Sequence, residues 1–251
     1  MALFKSGNPV LTKDTFNEIP KLEKIADQPM TLQGTVNKTA ILLLIMFIGA
    51  LYTWNVYMST SIFGYIMPYF LIGTFGGLVL SFIMVFNQDS SPFLAPVYAG
   101  LQGLSLGGLS AAMNDKFPGI VIQAVLLTFG ICTVLIIIYK LKIIKPRENF
   151  KLIVTSATGG LVIYYLISYA LNYSGIELPF IYDNNTGDVI FKLFLLGVIS
   201  MNLVVDFDFV EQGVENKAPK YMEWYCAFGL MVTIIWLYLE VLRLLAKSRK
   251  K

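Results

Sequence analysis

The sequence predicts an all-α integral membrane protein with seven transmembrane helices. Hydrophobic residues make up 56% of the 251-residue chain and charged residues only 14%, against about 25% charged in a soluble domain. The apolar residues collect in continuous runs of bilayer-spanning length, about 20 residues each. The runs do not alternate apolar with polar, as the strands of a membrane barrel would.

Residues 1–38 carry five lysines (Lys5, Lys13, Lys21, Lys24, Lys38), four acids (Asp14, Glu18, Glu23, Asp27) and two interrupting prolines, Pro20 and Pro29. With no compact apolar core they do not read as a signal peptide. They are expected to form a soluble, partly disordered arm with a short interfacial helix over 16–26. The transmembrane domain is expected over 39–246, followed by a basic tail, 247–251. Seven windows fit a span: 39–57, 61–86, 93–113, 118–144, 150–173, 189–209 and 221–245.

The third window is rich in small residues (Gly100, Gly103, Ser105, Gly107, Gly108, Ser110), the second carries Gly73, Gly76 and Gly77, and the fifth carries Ser156, Thr158, Gly159 and Gly160. Small residues allow close helix approach in lipid. Gln102, Gln123 and Asn202 are amides at membrane depth, expected to face the bundle interior in interhelical hydrogen bonds. Cys132 and Cys226 lie in separate spans and read as small apolar side chains rather than a disulfide framework.

Loop charge sets the orientation. The 140–151 connection holds Lys140, Lys142, Lys145, Arg147 and Lys151 against one Glu148, whereas 174–188 has no basic residue. Basic loops stay on the cytoplasmic side, so the amino terminus and the 140–151 loop are expected inside. The basic tail follows a seventh crossing and departs from that rule.

The acidic run Asp206-Phe207-Asp208-Phe209-Val210-Glu211 is the chemical focus, because it continues directly from an apolar span. An ionisable residue at membrane depth is costly and reads by default as part of an ion or proton path. The chain has no histidine, so displaced carboxylates are the groups left to sense protons near neutrality. Helical spacing places Asp206 one turn after Asn202, on one face. Asp208 points away and aligns with Glu211 and Glu215. Asp206 with Asn202 is therefore expected to face inward, with Asp208, Glu211, Glu215 and Glu223 at an acidic cytoplasmic rim. Glu240 is a further candidate, within the stretch 234–245 that is apolar apart from it and Arg243. Helix length places it about 28 Å along the last span, far from Asp206 and one turn before Arg243, its expected partner. Asp206 would then rely on Glu223, Asp208 or water. Without histidine there is neither a Ser-His pair nor a His-based zinc site, and Gly187-Asp188 lacks an intramembrane protease pattern. No enzyme activity, cofactor or nucleic-acid partner is expected.

Several stretches in order resemble the Bax inhibitor family, in its bacterial branch of transmembrane Bax-inhibitor-motif proteins. They are Ala95-Pro96-Val97-Tyr98-Ala99, Gly103 to Gly107, Pro118-Gly119 with Gln123 to Thr128, Asp206-Phe207-Asp208-Phe209 and Leu237-Tyr238-Leu239-Glu240. The resemblance covers roughly residues 35–246. It implies a seven-helix fold with the last helix central in the bundle, and a pH-sensitive calcium leak governed by one carboxylate on the sixth helix and one on the seventh. Those map onto Asp206, or one step less well Asp208, and onto Glu240, which stands where the family pattern has Asp. The stretch between the two acids is longer than in the family. The implied function is a cation (calcium) leak channel or exchanger in the plasma (inner) membrane of a bacterium. Its partners are the lipid bilayer, calcium and protons, and Asp206 and Asp208 are the expected cation ligands. The alternative is a non-transporting regulator that binds another membrane protein, such as a quality-control protease.

The charge asymmetry yields a topology prediction. In intact cells, a membrane-impermeant thiol reagent should label a cysteine placed at Asn184 and not one placed at Lys145. The opposite labelling pattern inverts the assigned orientation.

Overall fold

The computed structural model describes residues 29–144, 146–173 and 186–249. The expected arm over 1–28 and most of the acidic loop 174–188 lie outside them. Among the described residues the chain forms seven α-helices: α1 Leu32–Thr60, α2 Phe63–Phe86, α3 Ser91–Lys116, α4 Ile120–Lys140, α5 Glu148–Tyr173, α6 Thr186–Glu215 and α7 Met222–Ser248. A short 3-10 turn, Gln88–Ser90, precedes α3. Each predicted window coincides with one helix, although 118–144 was drawn too long: its helix starts at Ile120 and ends at Lys140.

The ends differ from expectation for local reasons. α1 begins seven residues early because Thr31 caps it, its side chain accepting from the Gly34 N–H; such caps satisfy an otherwise orphaned first-turn donor. α1 stops at Ser61, which takes the left-handed conformation (φ 53°) and returns its N–H to the Tyr57 carbonyl. α6 runs six residues past the expected end, to Glu215. It closes with Lys217 at φ 51° and the Ala218 N–H on the Gly213 carbonyl at 3.0 Å.

Six of the helices are long and apolar enough to cross a membrane; α3 is not. All seven expected helices are present, and α3 falls short in composition for a reason of packing. α3 spends its surface on small residues against other helices, so it needs little apolar surface of its own. α7 is the most enclosed of the six, with 56% of its apolar window buried, and α6 follows at 44%. α1 is the least enclosed at 11%, and its outer face carries Leu44, Phe47, Ile48 and Leu51 exposed. An apolar belt of that size belongs against lipid.

The chain divides into two compact units: Phe16–Gln123 with Val210–Val232, and Ala124–Phe209 with Thr233–Lys251. In the first, α3 packs against both α1 and α2 with its backbone. A Cβ at Gly103 would strike the Met46 carbonyl, and one at Gly107 would strike the Ala50 carbonyl and the Thr53 hydroxyl. On another face of α3, Ser105 meets Gly73, and its hydroxyl lies 2.9 Å from that of Thr74. The small residues at 100, 103 and 107 thus serve α1, and those at 105 and 108 serve α2. Gln102 lies half-buried against Gly77. Gln123, expected to face inward, is exposed.

In the second unit α6 touches each of the other helices. Phe207 stacks near Tyr139 of α4 (5.9 Å between ring centroids). Phe191 lies near Tyr164 of α5 (5.5 Å), and polar pairs link α6 to α5 and α7.

The close α1–α3 contact sets a mutational contrast. Gly107→Ala should destabilise the protein by about 1–3 kcal/mol, as overpacking does. Gly130, on α4, has nothing within 4 Å of an added Cβ. Gly130→Ala should be neutral or stabilising by up to about 1 kcal/mol. Thermal unfolding in detergent checks both, and equal behaviour of the two variants contradicts the packing account.

Candidate functional site

The candidate residues sit on the α6–α7 hairpin and the elements that answer its charges. Asp206 is fully buried. The Thr233 hydroxyl of α7 donates to its Oδ2 at 2.5 Å. One turn earlier, Asn202 is also buried. Its Nδ2 donates to the Thr158 hydroxyl of α5 at 2.7 Å and to the Val198 carbonyl at 3.0 Å, while Thr158 donates onward to the Val154 carbonyl. The Asn202 Oδ1 is buried without a hydrogen-bond partner. Asp206 and Asn202 therefore share the inward face of α6, as helical spacing requires.

Asp208 turns away, as a two-residue step on a helix dictates, and pairs with Lys151 at the start of α5. The two aspartates thus have different partners, Thr233 for Asp206 and Lys151 for Asp208. Among the described residues no group of three or more His, Cys, Asp or Glu side chains could hold a metal ion. Glu211 and Glu215 are exposed on the last turns of α6, where a rim was expected.

Glu223 does not belong to that rim. It is fully buried and gathers four donors. The Thr31 N–H lies at 2.8 Å, the Thr31 hydroxyl at 3.0 Å and Lys220 at 3.2 Å, and Lys38 of α1 forms an ion pair with Oε2. The carboxylate lies so close to Gly34 that no side chain fits there. Beside it the Met30 N–H donates to the Ala218 carbonyl at 2.8 Å, and Pro29 and Pro219 form an antiparallel bridge. Glu223 thus fastens the entry of α1 to the α6–α7 turn. A solvated rim was expected because its position at the head of a helix gave no sign of the lysine arriving from 185 residues away.

Glu240 is also fully buried. Arg243 lies 3.3 Å from its Oε2, as expected, and Lys192 of α6 lies 3.5 Å from its Oε1. Asp206 and Glu240 each have their own partners, so the shared-proton pair implied by the family resemblance is not formed. The 28 Å separation is corrected as well. Asp206 lies opposite Thr233, seven residues before Glu240, or about 10 Å along α7. The extra turns of α6 beyond Asp206 are matched by the first turns of α7, so the two acids stand two turns apart rather than at opposite faces.

Sequence reasoning missed Thr233, Lys151, Lys192 and Lys38. Lys192 carried the clearest signal: it is a cation four residues inside an otherwise apolar span, which marks a functional position by default. Lys151 was counted as loop charge. Thr233 shares a helical face with Glu240 at seven-residue spacing, which was open to inspection.

With this geometry in place, comparison with known families is decisive. The pattern described as Bax inhibitor 1 like matches residues 8–250, nearly the whole chain. The chain belongs to that family. The comparisons with curated proteins and with solved structures return no match.

The Glu223 cluster predicts a large stability effect. Removing one member of a buried ion pair costs about 3–5 kcal/mol, so Glu223→Gln and Lys38→Met should each lower the unfolding midpoint strongly. The double variant should cost clearly less than their sum, because the two side chains interact directly. An additive result breaks the assignment.

Proposed function

We propose that this Bax inhibitor 1 like membrane protein is a cation leak pathway or exchanger, with calcium as the transported ion, and that the protonation of Asp206 governs passage. The observation that carries this reading is a fully buried carboxylate, on the inward face of an apolar helix, held by a hydroxyl. A hydroxyl both donates and accepts. Thr233 can therefore donate to the carboxylate and, by rotating, accept from the protonated acid, so the contact survives either state. Burial makes a carboxylate's charge costly, so gain or loss of a proton at Asp206 changes the character of the whole site, and the chain has no histidine to take that part.

In the ionised state Asp206 and the Asn202 carbonyl oxygen offer hard oxygen ligands to a calcium ion in transit. In the protonated state the site is neutral and loses that attraction. Asp208 has a different role: paired with Lys151, it holds α5 against α6 and its charge is already answered. The family match supports a membrane role of this general kind. The basic 140–151 loop supports an orientation with the amino terminus inside, in a bacterial inner membrane. Lys151, taken up by Asp208, still leaves that loop basic.

The test is calcium entry into liposomes of purified protein, followed as a function of pH across roughly pH 5 to 8. Asp206→Asn should flatten the pH profile. Asp208→Asn should keep its shape while lowering stability. Unchanged and superimposable profiles for both variants, or no flux from the unmodified protein, defeat the reading.

A further inference from the structure

The α6–α7 interface of the second unit has two polar levels separated by an apolar layer. On α6, Lys192, Leu195, Ile199, Asn202 and Asp206 recur at three- and four-residue spacing and form one stripe. Leu195, Ile199, Asn202 and Asp206 are essentially inaccessible, and Lys192 is 14% exposed. On α7, Thr233, Leu237 and Glu240 share the facing stripe and are likewise buried. Asp206 with Thr233 makes one level. Lys192 with Glu240 makes the other, and Leu195, Ile199 and Leu237 lie between.

The second level is unusual in charge and contact. One fully buried carboxylate stands between two cations, so the level carries a net charge of +1. Its contacts are loose. Arg243 is 3.3 Å away and half-exposed, and Lys192 is 3.5 Å away, whereas a charge-assisted hydrogen bond is about 2.7–2.9 Å. At that distance Oε1 of Glu240 remains buried without a hydrogen-bond donor. A carboxylate in so costly a position would be expected to draw its counter-ion fully in. It does not, although Lys192 has a long, flexible stem and a compact charge suited to doing so.

We propose that Lys192 is a tethered counter-ion that gates the cation path. It occupies the Glu240 carboxylate in place of a mobile cation and makes that level electrostatically positive, so a permeating cation passes only by displacing the Lys192 ammonium from Glu240. This rests on the cation-leak reading above and adds a position-specific gate to it. Asp206 answers to protons, and Lys192 sets how readily a cation enters the other level. Arg243 is a weaker guard, because its half-exposed charge is screened by solvent.

Replacing Lys192 by a neutral side chain removes the positive charge that stands 3.5 Å from the Glu240 carboxylate. Lys192→Met should therefore raise calcium flux into liposomes by on the order of tenfold. Lys192→Gln should do the same and serves if the Met variant does not fold. Lys192→Arg, which keeps the charge, should leave flux near that of the unmodified protein. In a Glu240→Gln background, Lys192→Met should have much less effect, because the carboxylate it competes for is gone. Unchanged flux in Lys192→Met and Lys192→Gln, with Asp206→Asn still altering the pH profile, overturns the gate and leaves the leak standing. An equal increase with and without Glu240 also overturns it, since Lys192 would then act elsewhere. Absence of flux from every protein, the unmodified one included, overturns the leak and the gate together.

Discussion

A carboxylate buried in a membrane helix has to be answered by donors from somewhere else in the chain, and in this molecule that requirement fixes the relation between helices. An isolated ionised carboxylate in an apolar medium costs far more than a domain's net stability. Glu223 is answered by the cap residue of α1, by Lys38 two turns further on, and by Lys220 from its own turn. Those donors specify where α1 enters and how it is rotated. Asp208 is answered by Lys151, which sets α5 against α6. Asp206 draws Thr233, and Glu240 draws Lys192, which together set the register of α7 along α6. Apolar side chains alone would not impose such registers, because lipid is as good a neighbour for leucine as another helix is.

The same shortage of hydrophobic drive explains α3. Helices in lipid associate through close packing, and the closest packing available is backbone on backbone. α3 gives up apolar side chains for glycine and serine, and so is less apolar than the helices around it, yet Ala95, Ala99, Gly103, Leu106, Gly107 and Ala111 are all buried. Its hydropathy is low because its environment is protein. Ser105 and Thr74 hydroxyls close the α2–α3 contact at 2.9 Å, a polar link that needs the close approach Gly73 permits.

Much of the architecture was legible in the sequence, since apolar runs of bilayer length admit few alternatives. All seven helices fall where those runs lie, and the inward face shared by Asn202 and Asp206 follows from helical geometry alone. What was not legible are the partners. Glu223 sits at the head of a helix, where acids are common on solvated ends, and only tertiary folding brings Lys38 to it. Gln123 was expected inside because amides avoid lipid, yet it is exposed in the first turn of α4. The end of the sixth span was set too short because hydropathy fades before helical geometry does: α6 continues through Asp206, Asp208 and Glu211 to Glu215.

That extension of α6 carries the functional consequence. In a helical hairpin, residues equally distant from the turn face each other. Had α6 ended at Phe209, Asp206 would lie beside the first turn of α7. Because the helix runs on to Glu215 and turns at Lys217 and Ala218, the residue opposite Asp206 is Thr233, deep in the last helix, and Glu240 follows two turns later. The longer stretch between the two acids therefore does not push them to opposite membrane faces; it separates them into two levels with an apolar layer between. A direct acid pair would share one proton and act as a single switch. Separated levels have independent partners, a hydroxyl for one and two cations for the other, so proton response and cation entry become properties of different residues.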